Sequence, residues 1–357
     1  MTIRQYFAKI AGKYKSGITS GQSFREDLKI LIEDCAPDVS VIENPAKSAC
    51  TSPDCIITKR NVPVGYLVIF HIDKPLDSQG DQKALDLLKR SLSNLMLTNH
   101  LEFHLYRDGI FVSSASIAEV KNGEVISRPG DHPSVEILIK GFSSYHRVAI
   151  NAAFMLSRAL AREAQLLASV IERSIIQDEK KRKNQHYKPF KLTLKEQLTD
   201  ISIVLKNDIS AKELADIYAQ TISFGMFAAR LYGGSALAEF SRQNAYELIP
   251  SSYSFLKKLF QYLAGEDLDD RLIWIINELS YLFRTMDLAA FMGNFSESAR
   301  QSNPVIHFYK DFLDEYNPTL LKERGEIIAD EPLVRFMIQA VSDCRSSIQS
   351  GSTDHDF

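Results

Sequence analysis

Asp54 is the residue of this 357-residue chain whose type and place could support metal-dependent chemistry. It opens the short apolar run Cys55–Thr58, and after a tight turn a second apolar run covers Val64–Ile72. Phosphodiester hydrolysis at a bound Mg²⁺ uses carboxylates to hold the ion and a cation to orient water or stabilise charge. Alternate residues of a neighbouring strand could supply those partners, but Val68 and Phe70 are apolar. Taken alone, Asp54 is predicted to be a turn or N-cap residue rather than a metal ligand.

A basic run is the second feature with possible chemical meaning, because it could contact phosphates. The run follows a long predicted helix and consists of Lys180, Lys181, Arg182 and Lys183. A solvated helix end is the simpler interpretation, and contact with a nucleic-acid backbone is the alternative. The sequence leaves both interpretations open.

The remaining chemistry-bearing residues form no motif for catalysis. The sequence has no Walker-type phosphate loop, no Gly-x-Ser-x-Gly elbow, no His-Glu-x-x-His helix and no Asn/Asp-Pro-Pro-Tyr/Phe motif. The cysteines lack zinc-ligand spacing and are too few for a disulfide framework, which predicts reduced thiols at Cys35, Cys50, Cys55 and Cys344. We expect ordinary structural or surface roles for the histidines near the predicted strands, which are His71, His100 and His104.

Composition places the chain among soluble globular proteins, with 45% hydrophobic and 24% charged residues. A net charge of −3 argues against binding to nucleic acid through overall charge, although a local basic face would be sufficient. The N-terminus lacks an apolar signal core, and no run approaches the length of a membrane span. We therefore expect a cytoplasmic protein with no membrane partner.

Hydrophobic periodicity predicts two parts with different architecture. A helix over 3–36 precedes six β-type runs, and a short helix over 81–92 lies between the third and fourth of them. The runs cover 39–43, 54–58, 64–72, 94–98, 101–106 and 110–120. Asp108-Gly109 predicts a hairpin turn before the last run. The pattern is then helical, and Ser210 with Glu213 predicts a capping box. The later helices are predicted over 148–176, 210–231, 236–247, 252–264, 268–293 and 303–313. The predicted fold class is α/β plus all-α, a mixed sheet with flanking helices followed by a helical bundle.

Several stretches carry a resemblance to a known family. The chain resembles the N-terminal part of type IIG and type ISP restriction–modification enzymes, in which a PD-(D/E)XK nuclease domain and a helical connector precede an adenine-specific DNA methyltransferase. The matching stretches lie in the family's order over nearly the whole chain: Ser23–Leu28, Ser52–Asp54, Val64–Tyr66, Gln82, Leu97–Gly109, Leu214–Leu231, Asn303–Tyr316 and Lys322–Gly325.

The resemblance implies a restriction-endonuclease-like sheet, Mg²⁺ and S-adenosylmethionine as cofactors, DNA as a partner and a role in phage defence. It places Asp54 as the first acid of the nuclease site, with Gln82 as a further candidate residue. It also places Val68 and Phe70 where the family has glutamate and lysine, so no catalytic set is intact. The family's Tyr-Thr-Pro segment, which helps to bind S-adenosylmethionine, is replaced by Ile328–Asp330.

From the resemblance we divide the chain into a nuclease-like domain (1–142), a helical connector (143–300), a remnant of a methyltransferase start (301–345) and a flexible tail (346–357). The first functional hypothesis is a non-catalytic DNA- or protein-binding module. The alternative is a truncated or split endonuclease and methyltransferase subunit, which would need a separate methyltransferase chain or another defence-system subunit. The isolated chain is expected to lack enzyme activity under the first hypothesis.

Overall fold

The computed structural model describes residues 1–18, 21–44, 52–76, 81–183, 209–233, 240–249, 251, 254–293 and 304–319. Two helices begin the chain, α1 (Ile3–Lys15) and α2 (Gly21–Cys35). The prediction of one continuous helix over 3–36 is therefore wrong. Gly17 has a φ of +74°, and its N–H donates to the Tyr14 carbonyl oxygen. This left-handed conformation, which favours glycine, ends α1.

A mixed six-stranded sheet follows, and its strands lie in the same order in space as in the chain. The strands are β1 (Ser40–Glu43), β2 (Cys55–Lys59), β3 (Val62–Ile69), β4 (Leu95–Thr98), β5 (Glu102–Arg107) and β6 (Ile110–Ser116). Neighbouring strands are antiparallel except β3 and β4, which are parallel. A parallel pair needs a crossover connection, and α3 (Gln82–Ser91) provides it. The Asp81 carboxylate begins α3 by accepting from the Ala84 N–H.

The strand predicted over 110–120 is divided between two sheets. After β6 ends, β7 (Ala118–Lys121) pairs with β8 (Glu124–Ser127) in a separate two-stranded sheet. Ile117 lies between them and is fully buried, and its N–H donates to the Leu101 carbonyl oxygen at 2.8 Å. This anchored residue redirects the chain out of the first sheet, which periodicity alone does not reveal.

One face of the six-stranded sheet is covered by α1, α2 and α4 (His132–Ser143), a helix that the sequence patterns do not predict. Tyr6, Phe24, Phe103 and Phe142 are fully buried in the core beneath these helices. These side chains come from all three helices and from β5, so burial of their apolar surface holds the layer together.

The second part of the chain consists mainly of helices. They are α5 (Ala153–Arg182), α6 (Ala211–Gly233), α7 (Arg242–Leu248), α8 (Ser254–Ala264), α9 (Asp270–Arg284), α10 (Leu288–Gly293) and α11 (Pro304–Tyr316). The predicted capping box is confirmed, since Ser210 Oγ accepts from the Glu213 N–H and the Glu213 carboxylate accepts from the Ser210 N–H. The helix predicted over 268–293 is divided near Met286, which pairs with Ile150 in a short parallel bridge.

The helices of the second part cover the other face of the sheet and share a hydrophobic core with it. Tyr66 of β3, Leu95 of β4 and Tyr106 of β5 belong to the same buried cluster as Leu160 of α5 and Ile275 of α9. The sheet is therefore a middle layer between two helical layers. The predicted combination of a mixed sheet with a largely helical second part is present. Within the described segments, no helix combines the length and apolarity that crossing a bilayer requires.

Candidate functional site

The backbone of Asp54 is fixed between two neighbours just before β2 begins. Its N–H donates to the Leu67 carbonyl oxygen at 2.8 Å, and its carbonyl oxygen accepts from the Asn44 N–H at 2.9 Å. These bonds extend the pairing of β2 with both β3 and β1 by one residue. The Asp54 side chain consequently starts from a defined position beside the end of β3.

Both carboxylate oxygens of Asp54 accept hydrogen bonds from the protein itself. Oδ1 accepts from Nη2 of Arg25 at 2.5 Å, and Oδ2 accepts from the Ile69 N–H at 2.7 Å. The Arg25 side chain is 9% exposed and that of Asp54 is 13% exposed, so water screens this pair only weakly. A charge-assisted bond of this kind is stronger than one between neutral groups. The pair joins α2 to the β2–β3 hairpin.

Val68 and Phe70 flank Ile69 at the end of β3, and the Ile69 N–H donates to the Asp54 carboxylate. Val68 is paired with Leu97 of β4, and the Phe70 N–H donates to the Thr98 carbonyl oxygen at 2.8 Å. Both side chains are half-buried and pack against the core shared by the sheet and the helices. Their role at these positions is therefore packing, and neither side chain has an atom that could bind a metal ion.

The residues around Asp54 do not fit the Mg²⁺ ion that the family resemblance implies. The ion prefers several oxygen ligands, usually including carboxylates. Here the Asp54 carboxylate is bound to a guanidinium, and its neighbours on β3 carry hydrocarbon side chains. Among the residues that the structure describes, no group of three His, Cys, Asp or Glu side chains could hold a metal.

The other predicted site residues lie apart from Asp54 or outside the residues that the structure describes. Gln82 is the first residue of α3, and its side chain is exposed. The segment that replaces the family's cofactor-binding residues, Ile328–Asp330, and the Lys322–Gly325 match lie outside the described residues, as does the tail over 346–357.

The basic run forms the exposed end of α5. Lys180, Lys181 and Arg182 occupy its last turn, Lys183 is its C-cap residue, and all of them are exposed. Positive charge at a helix C-terminus is stabilised by the helix dipole, so the run has a local structural role. Exposed basic side chains of this kind are also the groups that contact nucleic-acid phosphates in proteins.

The sequence patterns did not single out Arg25, whereas they predicted a structural or surface role for His100, which is buried against Phe24. His100 has a φ of +74° and is fully buried, with its ring centre 5.3 Å from that of Phe24. Neither of its ring nitrogens has a hydrogen-bond partner among the described residues. Burial and the nearby Arg25 lower the pKa of His100 to about 3, with Asp27 opposing them. Arg25 lies on a helix and His100 lies in a turn. Neither position reveals from the sequence which distant residues its side chain contacts.

A polar cleft of about 300 Å³ lies where the parallel strands β3 and β4 end. In open sheets with parallel strands, such carboxyl ends often carry ligand sites. The charged and amide side chains along this cleft already contact other parts of the chain. The Glu102 carboxylate contacts His104 Nε2 at 2.7 Å, Arg128 contacts Glu119 at 2.5 Å, and the Asn99 amide donates to the Lys74 carbonyl oxygen.

Comparisons with known proteins give a weak structural likeness. No family model matches the chain, and no curated protein matches it. Among solved structures, a cryo-electron-microscopy structure of a DrdV–DNA complex matches with a TM-score of 0.31 and 17% sequence identity. The match covers 94% of this chain and 31% of that chain, so this chain spans about a third of its length. A TM-score this low does not establish a common fold.

Proposed function

We propose that this chain is a DNA-binding module that does not cut DNA, related in architecture to the N-terminal part of type IIG and type ISP restriction–modification enzymes. The observation that carries the proposal is the engagement of Asp54, whose carboxylate oxygens accept from Arg25 and from the Ile69 N–H. In this proposal, the Arg25 guanidinium supplies the positive charge that a metal ion would supply in a nuclease, and it supplies it permanently.

The apolar residues that flank Ile69 support the same proposal. A nuclease of this family would hold its metal between Asp54 and a glutamate at position 68, with a lysine at position 70. Val68 and Phe70 instead pack against the core under the helices. Charges at these half-buried positions would lose part of their hydration, which costs folding free energy. In this proposal, the Asp54 site is retained as a structural joint, that is, as the contact that links α2 to the β2–β3 hairpin.

The proposed DNA contact is the exposed end of α5, which carries Lys180, Lys181, Arg182 and Lys183. Contacts of this kind go to the phosphate backbone and carry no base specificity. Each neutralised phosphate contributes about 0.9 to the slope of log affinity against log salt. Removal of all the contacts of this run should therefore reduce that slope by about 3 to 4.

Fluorescence anisotropy with a labelled duplex, measured over a series of KCl concentrations, tests this contact. The test variant changes the four basic residues of the run to glutamine. The matched control removes the same charge from exposed positions elsewhere, namely Arg4, Lys15, Lys83 and Lys121. Loss of affinity and slope in the test variant alone supports the proposal. An equal effect in both variants, or no salt-sensitive binding by the wild-type chain, contradicts it and favours a protein partner.

Plasmid cleavage in the presence of Mg²⁺ or Mn²⁺ tests the non-catalytic part of the proposal. We expect no metal-dependent cutting by the wild-type chain. Robust cutting that disappears in Asp54→Ala would overturn the proposal, because it would require Asp54 to act as a metal ligand despite its contact with Arg25.

A second candidate function is that of a subunit acting with a separate methyltransferase chain. The docking of α11 favours it, since Phe308 and Phe312 are fully buried and the Tyr316 hydroxyl donates to Asp216 of α6 at 2.6 Å. In the family that this chain resembles, the corresponding segment leads into the methyltransferase. We retain the division at 1–142, 143–300, 301–345 and 346–357 as part of the proposal. Reading the gene beyond codon 357 for a glycine-rich cofactor loop and an Asn/Asp-Pro-Pro-Tyr/Phe motif tests this candidate.

A further inference from the structure

A buried polar cluster joins the sheet to the helical part of the molecule. We call it the Arg147 cluster, and it consists of Tyr66 of β3, Arg147 of the segment 144–152, Glu163 of α5 and Glu278 of α9. Arg147 Nη2 donates to Glu163 Oε1 at 2.6 Å, and Nη1 donates to Glu278 Oε1 at 3.1 Å. The Tyr66 hydroxyl donates to the other oxygen of Glu278. All four side chains are buried, so solvent screens these contacts little.

The charges of the Arg147 cluster do not balance when both carboxyl groups are ionised. One guanidinium then faces two carboxylates in a site removed from water, and Oε2 of Glu163 has no hydrogen-bond partner in the described part of the chain. A single proton on Glu163 restores neutrality. Burial raises the pKa of Glu163 to about 8, with Arg147 opposing this effect and the Glu278 carboxylate adding to it.

Three other titratable groups face the cluster, namely Asp108 in the β5–β6 turn, Tyr145 in the connecting segment and Tyr281 of α9. Positive charge near them comes from Arg107 and Arg162, which act on Asp108. Burial raises the pKa of the Asp108 carboxyl, and burial likewise raises the pKa of both phenols. Glu163 is therefore the group of the cluster that is placed to exchange a proton near neutral pH.

The segment that carries Arg147 is attached on both sides. On the sheet side, the Arg107 guanidinium lies 5.1 Å from the centre of the Tyr145 ring. On the helix side, the Ile150 N–H donates to the Thr285 carbonyl oxygen and its own carbonyl oxygen accepts from the Asp287 N–H, both at 2.9 Å. Arg147 therefore lies at the junction itself, where a change in its contacts acts on both layers.

We propose that the Arg147 cluster is a proton-linked latch, which holds the helical part against the sheet while Glu163 carries a proton and loosens when that proton passes to solvent. The latch does not depend on the proposed DNA binding. It would make the relative position of the sheet and the helices respond to pH, and also to any partner whose charge favours or disfavours the ionised form.

Hydrogen–deuterium exchange of the full chain at about pH 6 and about pH 9 tests the latch, after correction for the intrinsic effect of pH on exchange. We expect the opening of β3 and α9 amides to rise at least tenfold in the wild-type chain between these conditions. Glu163→Gln keeps the shape of the neutral acid and cannot ionise, so its opening should stay near the wild-type value at pH 6. Glu179→Gln, an exposed change on the same helix, is the control and should behave as wild type.

The fluorescence of Trp274 gives a second measure of opening at the cluster. Trp274 is the one tryptophan in the sequence, and its ring centre lies 6.1 Å from that of Tyr66. Tyr66→Phe keeps the ring and removes the hydrogen bond to Glu278, so it should increase opening roughly tenfold or more even at pH 6. Equal pH profiles for wild type and Glu163→Gln would overturn the proposal. So would a Tyr66→Phe variant whose opening at pH 6 matches that of the wild type.

Discussion

Replacement of Asp54 by alanine should destabilise the protein, and the sign of this effect distinguishes a structural joint from a metal site. The change leaves the Arg25 guanidinium without the carboxylate that it contacts at 2.5 Å, and it removes the acceptor of the Ile69 N–H. A carboxylate kept as a metal ligand would have the opposite signature, because its removal often stabilises a protein at the expense of function.

The expected loss follows from burial. Breaking a buried ion pair by removing one partner costs about 3–5 kcal/mol, whereas an exposed pair contributes less than about 1 kcal/mol. With side-chain exposures of 9% and 13%, the Arg25–Asp54 pair lies close to the buried limit. We therefore expect Asp54→Ala to lower the free energy of unfolding by about 2–4 kcal/mol. Arg25→Met should lower it by a similar or smaller amount.

Urea unfolding followed by circular dichroism measures these free energies, and a double-mutant cycle isolates the pair. The combined variant should lose less than the sum of the single losses, with a coupling of about 2 kcal/mol. Asp86→Ala, an exposed change on α3, should stay within about 0.5 kcal/mol of wild type. A stabilising Asp54→Ala, together with an increase in wild-type stability on adding Mn²⁺ that depends on Asp54, would refute the reasoning.

Three further predictions concern packing and reactivity. Gly225→Ala should lower the free energy of unfolding by about 1–3 kcal/mol in the same urea assay, because the added Cβ would lie 2.4 Å from the Phe260 ring. An unchanged free energy of unfolding would mean that the ring can move aside. Restoring the family's residue types with Val68→Glu and Phe70→Lys should cost about 2–4 kcal/mol and should not produce metal-dependent cutting, since Arg25 still holds the acid. Burial, with a smaller contribution from Glu136, raises the pKa of the Cys35 thiol. Cys35 should therefore react with a thiol reagent near pH 7 more slowly than free cysteine does. An equal reaction rate would contradict this prediction.

Local features of the sequence predicted much of the sheet. Alternating apolar runs placed β2, β4 and β5 within one residue of their observed starts, and the Asp108-Gly109 hairpin is confirmed by positive φ values at both residues. These features depend on period and turn chemistry, which a short stretch of sequence contains. Where two strands follow each other closely, as at Ile117, the apolar pattern continues across the break and conceals it. At Gly17 the sequence instead has a glycine among polar residues, a helix-ending signal that hydrophobic periodicity does not register.

The candidate site could be predicted only in part because its decisive partner is distant in sequence. The residue types at 54, 68 and 70 already indicated an incomplete metal site. Arg25, however, lies 29 residues before Asp54 on an amphipathic helix, where an arginine is ordinarily solvated. The Arg147 cluster is a stronger example, since Tyr66 and Glu278 are 212 residues apart. Such contacts depend on how layers pack, which hydrophobic periodicity does not specify.

The shared core sets the smallest piece of this protein that could be transferred to another chain. A polypeptide ending at residue 142 would contain every strand described here, yet it would expose to water the sheet face that carries Tyr66, Leu95 and Tyr106. An exposed apolar face of that kind favours aggregation or association. The exchangeable unit is therefore the sheet together with α5 and α9, and a recombination point between residues 142 and 153 would separate two halves that each need the other to stay folded.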